Sequence, residues 1–250
     1  MKKVKFNFVI ISPGRSGTEH LKETLNYFED IKVLDELFNR ANFESDSFNA
    51  FLKRNIFYRT LAICFNRQIL SSYNLNFPLQ YLIKKFLHEK GLINKVQYGF
   101  KLTLDQLKAY PMVLKLLLNS GVKLIYLYRE DRLAQVLSLL KARKTGIYHQ
   151  IERDEISTAV EFDINVVKAI YNFCQREENK LLARLINVEK VILSYEDLFN
   201  NYSEQVDTIR RFLDLPKSEI VNYSDLIKQN SNKLESWVSN LDDIKKELQI

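Results

Sequence analysis

Apolar residues fall into short dense runs, separated by longer stretches in which they recur every three or four positions. The run 4–12, rich in Phe, Val and Ile and closed by Pro13 and Gly14, predicts a buried strand entering a turn. Leu21, Leu25 and Phe28 then recur at helical spacing, with Ser16 and Glu19 placed as a capping box. Val33 and Leu34 predict a second strand that leaves through Asp35, Glu36, Leu37, Phe38 and Asn39. Residues 96–102 predict a third, followed by a helix reaching Leu118 and capped by Thr103 with Gln106. The nearly continuous apolar run 122–128, between Gly121 and Arg129, predicts a central strand covered on both faces. Further on, the spacing predicts helices over 133–143 and 162–185, a break at Gly146, a strand over 191–195, a helix marked by Val206, Ile209 and Leu213, and a closing helix over 241–248. Between 40 and 95 the aromatic residues are frequent and irregular in period, which predicts a helical and loop insertion that shapes a binding site.

Strands alternating with helices imply an α/β chain with a central, mostly parallel sheet flanked by helices in three layers. At 250 residues and 46% hydrophobic, the chain is long enough to bury a full core as one domain, 1–250. Its net charge of +6 suits an anionic ligand, but no block of like charges or basic stripe interleaved with aromatics points to nucleic acid. Cys64, Cys174, His20, His88 and His149 are scattered without metal-ligand spacing, so no metal is expected. Lys2 and Lys3 precede an apolar stretch, yet Lys5 and Asn7 interrupt it; a cytoplasmic protein without a membrane span is expected.

The chemistry concentrates at Ser12-Pro13-Gly14-Arg15-Ser16-Gly17-Thr18, between the first strand and the first helix. Glycines let the backbone bend close to a ligand, free N–H groups at a helix start favour an anion, and Arg15 adds a charged, two-pronged donor. The loop is a P-loop-like phosphate cradle, although it lacks the lysine that a nucleoside-triphosphate site places before its Ser or Thr. The strand 122–128 ends in Arg129, where a magnesium-using enzyme would often carry an acid, so the second ligand group is read as a phosphate. Ser138, nine positions on, is placed to return a hydroxyl to the same edge. Two phosphate subsites suit an adenosine phosphorylated at both ends, 3′-phosphoadenosine 5′-phosphosulfate (PAPS). A P-loop nucleotide or small-molecule kinase and a non-catalytic nucleotide-binding relative stay open as alternatives.

Gly14-Arg15-Ser16-Gly17-Thr18 resembles the 5′-phosphosulfate loop of sulfotransferases. The string from Tyr126 through Arg129 to Ser138, continuing to His149, resembles the 3′-phosphate region of bacterial carbohydrate sulfotransferases of the trehalose and nodulation-factor type. Tyr98-Gly99-Phe100-Lys101-Leu102, Tyr195-Glu196-Asp197-Leu198 and Phe212-Leu213-Asp214-Leu215-Pro216 are also similar to that family. The resemblance implies sulfuryl transfer from PAPS to a hydroxyl of a small-molecule or glycan acceptor, without a metal. It assigns Gly14, Arg15, Ser16, Gly17 and Thr18 to the 5′ group, and Arg129 and Ser138 to the 3′-phosphate. Arg15 would stabilise the leaving phosphate and Glu36 would serve as catalytic base, with His20 and His149 as substitutes. Glu19 departs from the family pattern, which often has a small hydroxyl residue there; its charge would repel a phosphate unless the side chain turns back as the helix cap.

Overall fold

The computed structural model describes residues 6–39, 48, 50, 97–146, 159–217 and 234–250. The insertion expected over 40–95 therefore lies almost wholly outside the described residues, as do Cys64, His88 and His149.

Five parallel strands form one sheet in the order β2-β3-β1-β4-β5. They are β1 (Phe8–Ser12), β2 (Ile31–Glu36), β3 (Gln97–Thr103), β4 (Lys123–Tyr128) and β5 (Lys190–Ser194). Between them run α1 (Thr18–Tyr27), α2 (Leu104–Ala109), α3 (Pro111–Asn119), α4 (Arg132–Thr145) and α5 (Ile164–Arg184). After β5 come α6 (Tyr195–Asn200), α7 (Tyr202–Phe212) and α8 (Leu241–Leu248). The predicted α/β architecture is the observed one, with helices on both faces of the sheet.

Strand alternation divides the core. Val9, Ile11, Phe100, Leu102, Leu124 and Tyr126 pack against α2, α3 and the end of α5. Phe8, Ile10, Ile125, Leu127 and Leu193 pack against α1 and α7. A third cluster joins α4, α5 and α8 around Trp237, which is buried edge-on against Phe162. Two buried charges tie the layers together. Arg210 of α7 donates to both carboxylate oxygens of Asp30, at 2.9 and 2.8 Å, and its guanidinium lies 4.5 Å from the Phe28 ring centroid. Glu178 of α5 accepts from the Tyr126 hydroxyl at 2.5 Å and from Arg132 at the start of α4.

Two expectations are corrected. The helix expected to reach Leu118 is broken into α2 and α3, because Pro111 supplies no N–H and can only begin a new helix after Tyr110. Neither expected capping box forms. Gly17 is the N-cap of α1 and makes no side-chain cap bond, and Thr103 caps α2 without one. The Glu19 carboxylate is taken up by Lys22 and Lys101, while Gln106 turns its amide donor to Glu36 and leaves its Oε1 unbonded.

Gly99 of β3 leaves no room for a side chain, since a Cβ there would stand 2.4 Å from the buried Phe8 ring. Gly99→Ala is expected to cost about 1 to 3 kcal/mol, a fall in Tm of about 2 to 4 °C for each kcal/mol. An unchanged melting temperature by circular dichroism would show that the ring moves aside freely.

Candidate active site

In a parallel sheet every strand exit lies on one edge. The chain leaves β1 toward β2 and leaves β4 toward β5, so their exits diverge and open a crevice at a topological switch point. The Gly14–Thr18 loop emerges on one side of this crevice and Arg129 on the other.

The loop is held by α4. Gln135, buried on that helix, donates from its amide to the Gly14 carbonyl at 2.9 Å and to the Ser16 hydroxyl at 2.8 Å. Arg15 Nε donates to the Ser138 hydroxyl at 3.2 Å, one turn further along. Arg15 and Gly17 both take positive φ, 65° and 75°. For a non-glycine residue that conformation costs energy and persists where the surroundings enforce it, commonly at ligand sites. Alternating left-handed residues of this kind turn backbone N–H groups toward a common concavity suited to an anion.

Tyr195, the first residue after β5, stands between the glycine loop and Arg129. Its ring packs so closely on Gly17 that a Cβ there would meet its Cδ2 at 2.6 Å. The Arg129 guanidinium carbon lies 4.7 Å from the ring centroid, and the Phe199 ring packs on it as well. Burial pushes the Tyr195 hydroxyl up, while the charges of Arg129 and Arg15 both act to lower it, which puts both cations within electrostatic reach of one ring. Glu196 Oε1 lies 3.8 Å from Arg129 Nε, and Oε2 accepts from the Glu130 backbone N–H at 3.0 Å. Arg129 thus pairs with Glu196, not with its sequence neighbours Glu130 or Asp131. Its Nε is buried and makes no hydrogen bond, a donor suited to a ligand oxygen.

On the same edge, toward the β2 side of the sheet, the exits of β2 and β3 carry a charge cluster. Lys101 is buried at the end of β3 and pairs with Glu19 of α1 and with Asp35 Oδ1, the latter at 2.5 Å. Lys22 joins the same two carboxylates, reaching Asp35 Oδ2 at 2.7 Å. A bulge in β2 lets Asp35 and Glu36 together oppose Lys101, so the pair departs from strict alternation. Glu36 Oε2 accepts from Asn39 at 3.0 Å and from Gln106 at 2.8 Å. Burial pushes the Glu36 carboxyl up; Asp35 and Glu19 add to the shift, and Lys101 and the Asn39 bond only partly oppose it. Burial likewise acts to raise Glu19 and Asp35, but the lysines outweigh it and hold both below their ordinary values, Asp35 at about 2.

The structure therefore joins Arg15 with Ser138, and sets Arg129 beside the same tyrosine. Glu36 lies two strands from the loop on the same edge. His20 is buried against the rings of Phe199 and Tyr202, with neither nitrogen hydrogen-bonded and burial lowering its pKa. Among the described residues no cluster of His, Cys, Asp and Glu could hold a metal ion, and no helix is long and apolar enough to cross a membrane.

Residues 100–242 match the Stf0 sulphotransferase family. No curated protein matches by sequence. Among solved structures, sulfotransferase STF9 from Mycobacterium avium is 10% identical with a TM-score of 0.53, the alignment covering 99% of this chain and 76% of that one. The sulfotransferase domain from the curacin biosynthetic pathway is 15% identical with a TM-score of 0.50, covering 93% and 80%. At these identities the likeness is one of fold; the matched family spans more than half of the chain. The chain belongs to the Stf0 sulfotransferase family, and is a PAPS-dependent sulfotransferase.

Asp35 gives a pH signature. Its carboxyl falls from 3.8 to about 2 on folding, so its contribution to stability is complete above about pH 4 and is lost as pH falls toward about 2. Urea unfolding of Asp35→Asn should lose less stability across that acid window than the wild type. Parallel curves would mean that the pair contributes nothing.

Proposed function

We propose that the enzyme transfers the sulfuryl group of PAPS to a hydroxyl of a carbohydrate or glycoconjugate, by in-line attack with Glu36 as base. The observation that carries this reading is the packing of Tyr195 between the Gly17 turn of the anion loop and the Arg129 guanidinium, whose buried Nε lacks an acceptor. Gly14, Arg15, Ser16, Gly17 and Thr18 receive the 5′ group, and Arg129 and Ser138 the 3′-phosphate. Ser138 serves both roles in this scheme, since its hydroxyl also fixes the Arg15 side chain.

The donor supplies an electrophilic sulfur. A bond forms from the acceptor oxygen to sulfur as the bond from sulfur to the bridging phosphate oxygen breaks, and the acceptor proton goes to Glu36. Arg15 and the loop N–H groups stabilise charge on the departing phosphate, which is positioning and electrostatics rather than covalent chemistry. Burial and the neighbouring carboxylates raise the Glu36 pKa, the direction that strengthens a carboxylate as proton acceptor. His20 suits the role less, being enclosed by aromatic rings. A sugar acceptor is supported by the resemblance of the 126–138 string to carbohydrate sulfotransferases.

Saturating 3′-phosphoadenosine 5′-phosphate (PAP) with a chelator present should stabilise the fold by about 3 kcal/mol at a hundredfold excess over Kd. Stabilisation only by ATP with magnesium would overturn the donor assignment. Glu36→Gln should keep PAP affinity and lose about a hundredfold or more in kcat; normal turnover would remove Glu36 from the role. With labelled donor, sulfate should appear on sugars, and label confined to phenols or sterols would contradict the acceptor class.

A further inference from the structure

Glu19 presents a problem that the transfer reaction does not by itself explain. It is the second residue of α1, directly beyond the anion loop, where a free carboxylate would repel a phosphosulfate. Its side chain turns toward β3 and the end of β2, where it binds Lys101 and Lys22. With Asp35 the cluster holds two ammonium groups and two carboxylates, and it adjoins Glu36 through the β2 bulge.

We propose that Glu19 is a positioning residue for the reaction: together with Asp35 it clamps the Lys101 ammonium, leaving the Glu36 carboxylate to the neutral amides of Asn39 and Gln106 and open to the acceptor's proton. This rests on the reading of Glu36 as base. Lys101 is the strand neighbour of Glu36 in the β2–β3 register, and a buried ammonium must have anionic partners. Without Glu19 the cluster keeps two lysines and one half-exposed aspartate, and Glu36 is the next carboxylate within reach. A direct ion pair would hold Glu36 ionised and make it a weaker proton acceptor.

The groups facing Glu36 are Asp35 on its own strand, Lys101 on β3, Glu19 on α1, Asn39 in the exit loop and Gln106 on α2. Lys22 pairs with Glu19 and Asp35 behind them. Glu19 and Asp35 act to raise the Glu36 pKa, Lys101 to lower it. Loss of Glu19 removes one raising charge and frees the lowering one.

The test is the pH dependence of kcat for the wild type, Glu19→Gln, Asp35→Asn and Glu36→Gln. The acid limb of Glu19→Gln should move down by about one pH unit, with a lower plateau. Asp35→Asn, which keeps the less exposed carboxylate of the clamp, should move in the same direction by less, and it serves alone if Glu19→Gln does not fold. If Glu36→Gln is inactive while the clamp variants titrate like the wild type, the clamp proposal is overturned and the base assignment stands. A purely structural role for Glu19 would lower Tm and the plateau without moving the limb, and counts against the proposal equally. If Glu36→Gln turns over normally, the base assignment itself falls.

Discussion

The attachment of α4 to the loop after β1 is the contact on which the site depends. One buried amide, Gln135, donates to both the Gly14 carbonyl and the Ser16 hydroxyl, and one hydroxyl, Ser138, accepts from Arg15. The loop needs such support because Arg15 occupies a backbone region that a non-glycine residue avoids. The same helix follows Arg129 in sequence, so the element that holds the first arginine also fixes the exit of the strand that carries the second. Arg132 at its start is anchored in turn to Glu178, which holds the Tyr126 hydroxyl of β4.

Much of this was legible from local pattern. The β1 strand, the glycine-bearing turn and α1 are contiguous in sequence, and the apolar run closed by Arg129 could only be a covered central strand. Parallel pairing then brings both exits to one edge without further information. The switch-point crevice between β1 and β4 follows from strand order, which the sequence pattern left open.

What was not legible is carried by polar contacts between distant residues. Ser16 with Glu19, and Thr103 with Gln106, have the spacing of capping boxes, yet Glu19 is claimed by Lys101 from 82 positions away and Gln106 by Glu36 from 70. For Glu19 two lysine partners outweigh a cap bond worth about 1 kcal/mol, and for Gln106 the bond to the Glu36 carboxylate sets where the amide points. Gln135 lies inside the same family-like string as Arg129 and Ser138, but a helical glutamine carries no signal of its own. Tyr195 and Glu196 follow directly on a strand end, the position from which a side chain reaches the ligand edge, and that was the available clue. The β2 bulge, which sets Asp35 and Glu36 together, left no mark in the sequence.

The account requires one nucleotide to touch both strand exits, and calorimetry of the wild type and Arg129→Ala with PAP and with adenosine 5′-phosphate, which lacks the 3′-phosphate, tests this most directly. The wild type should prefer PAP by about tenfold to a hundredfold, the worth of a charge-assisted contact, and Arg129→Ala should lose most of that preference, keeping only the part that Ser138 supplies. A preference undiminished by the loss of Arg129 would mean that the 3′-phosphate lies elsewhere and that the two arginines do not share a ligand.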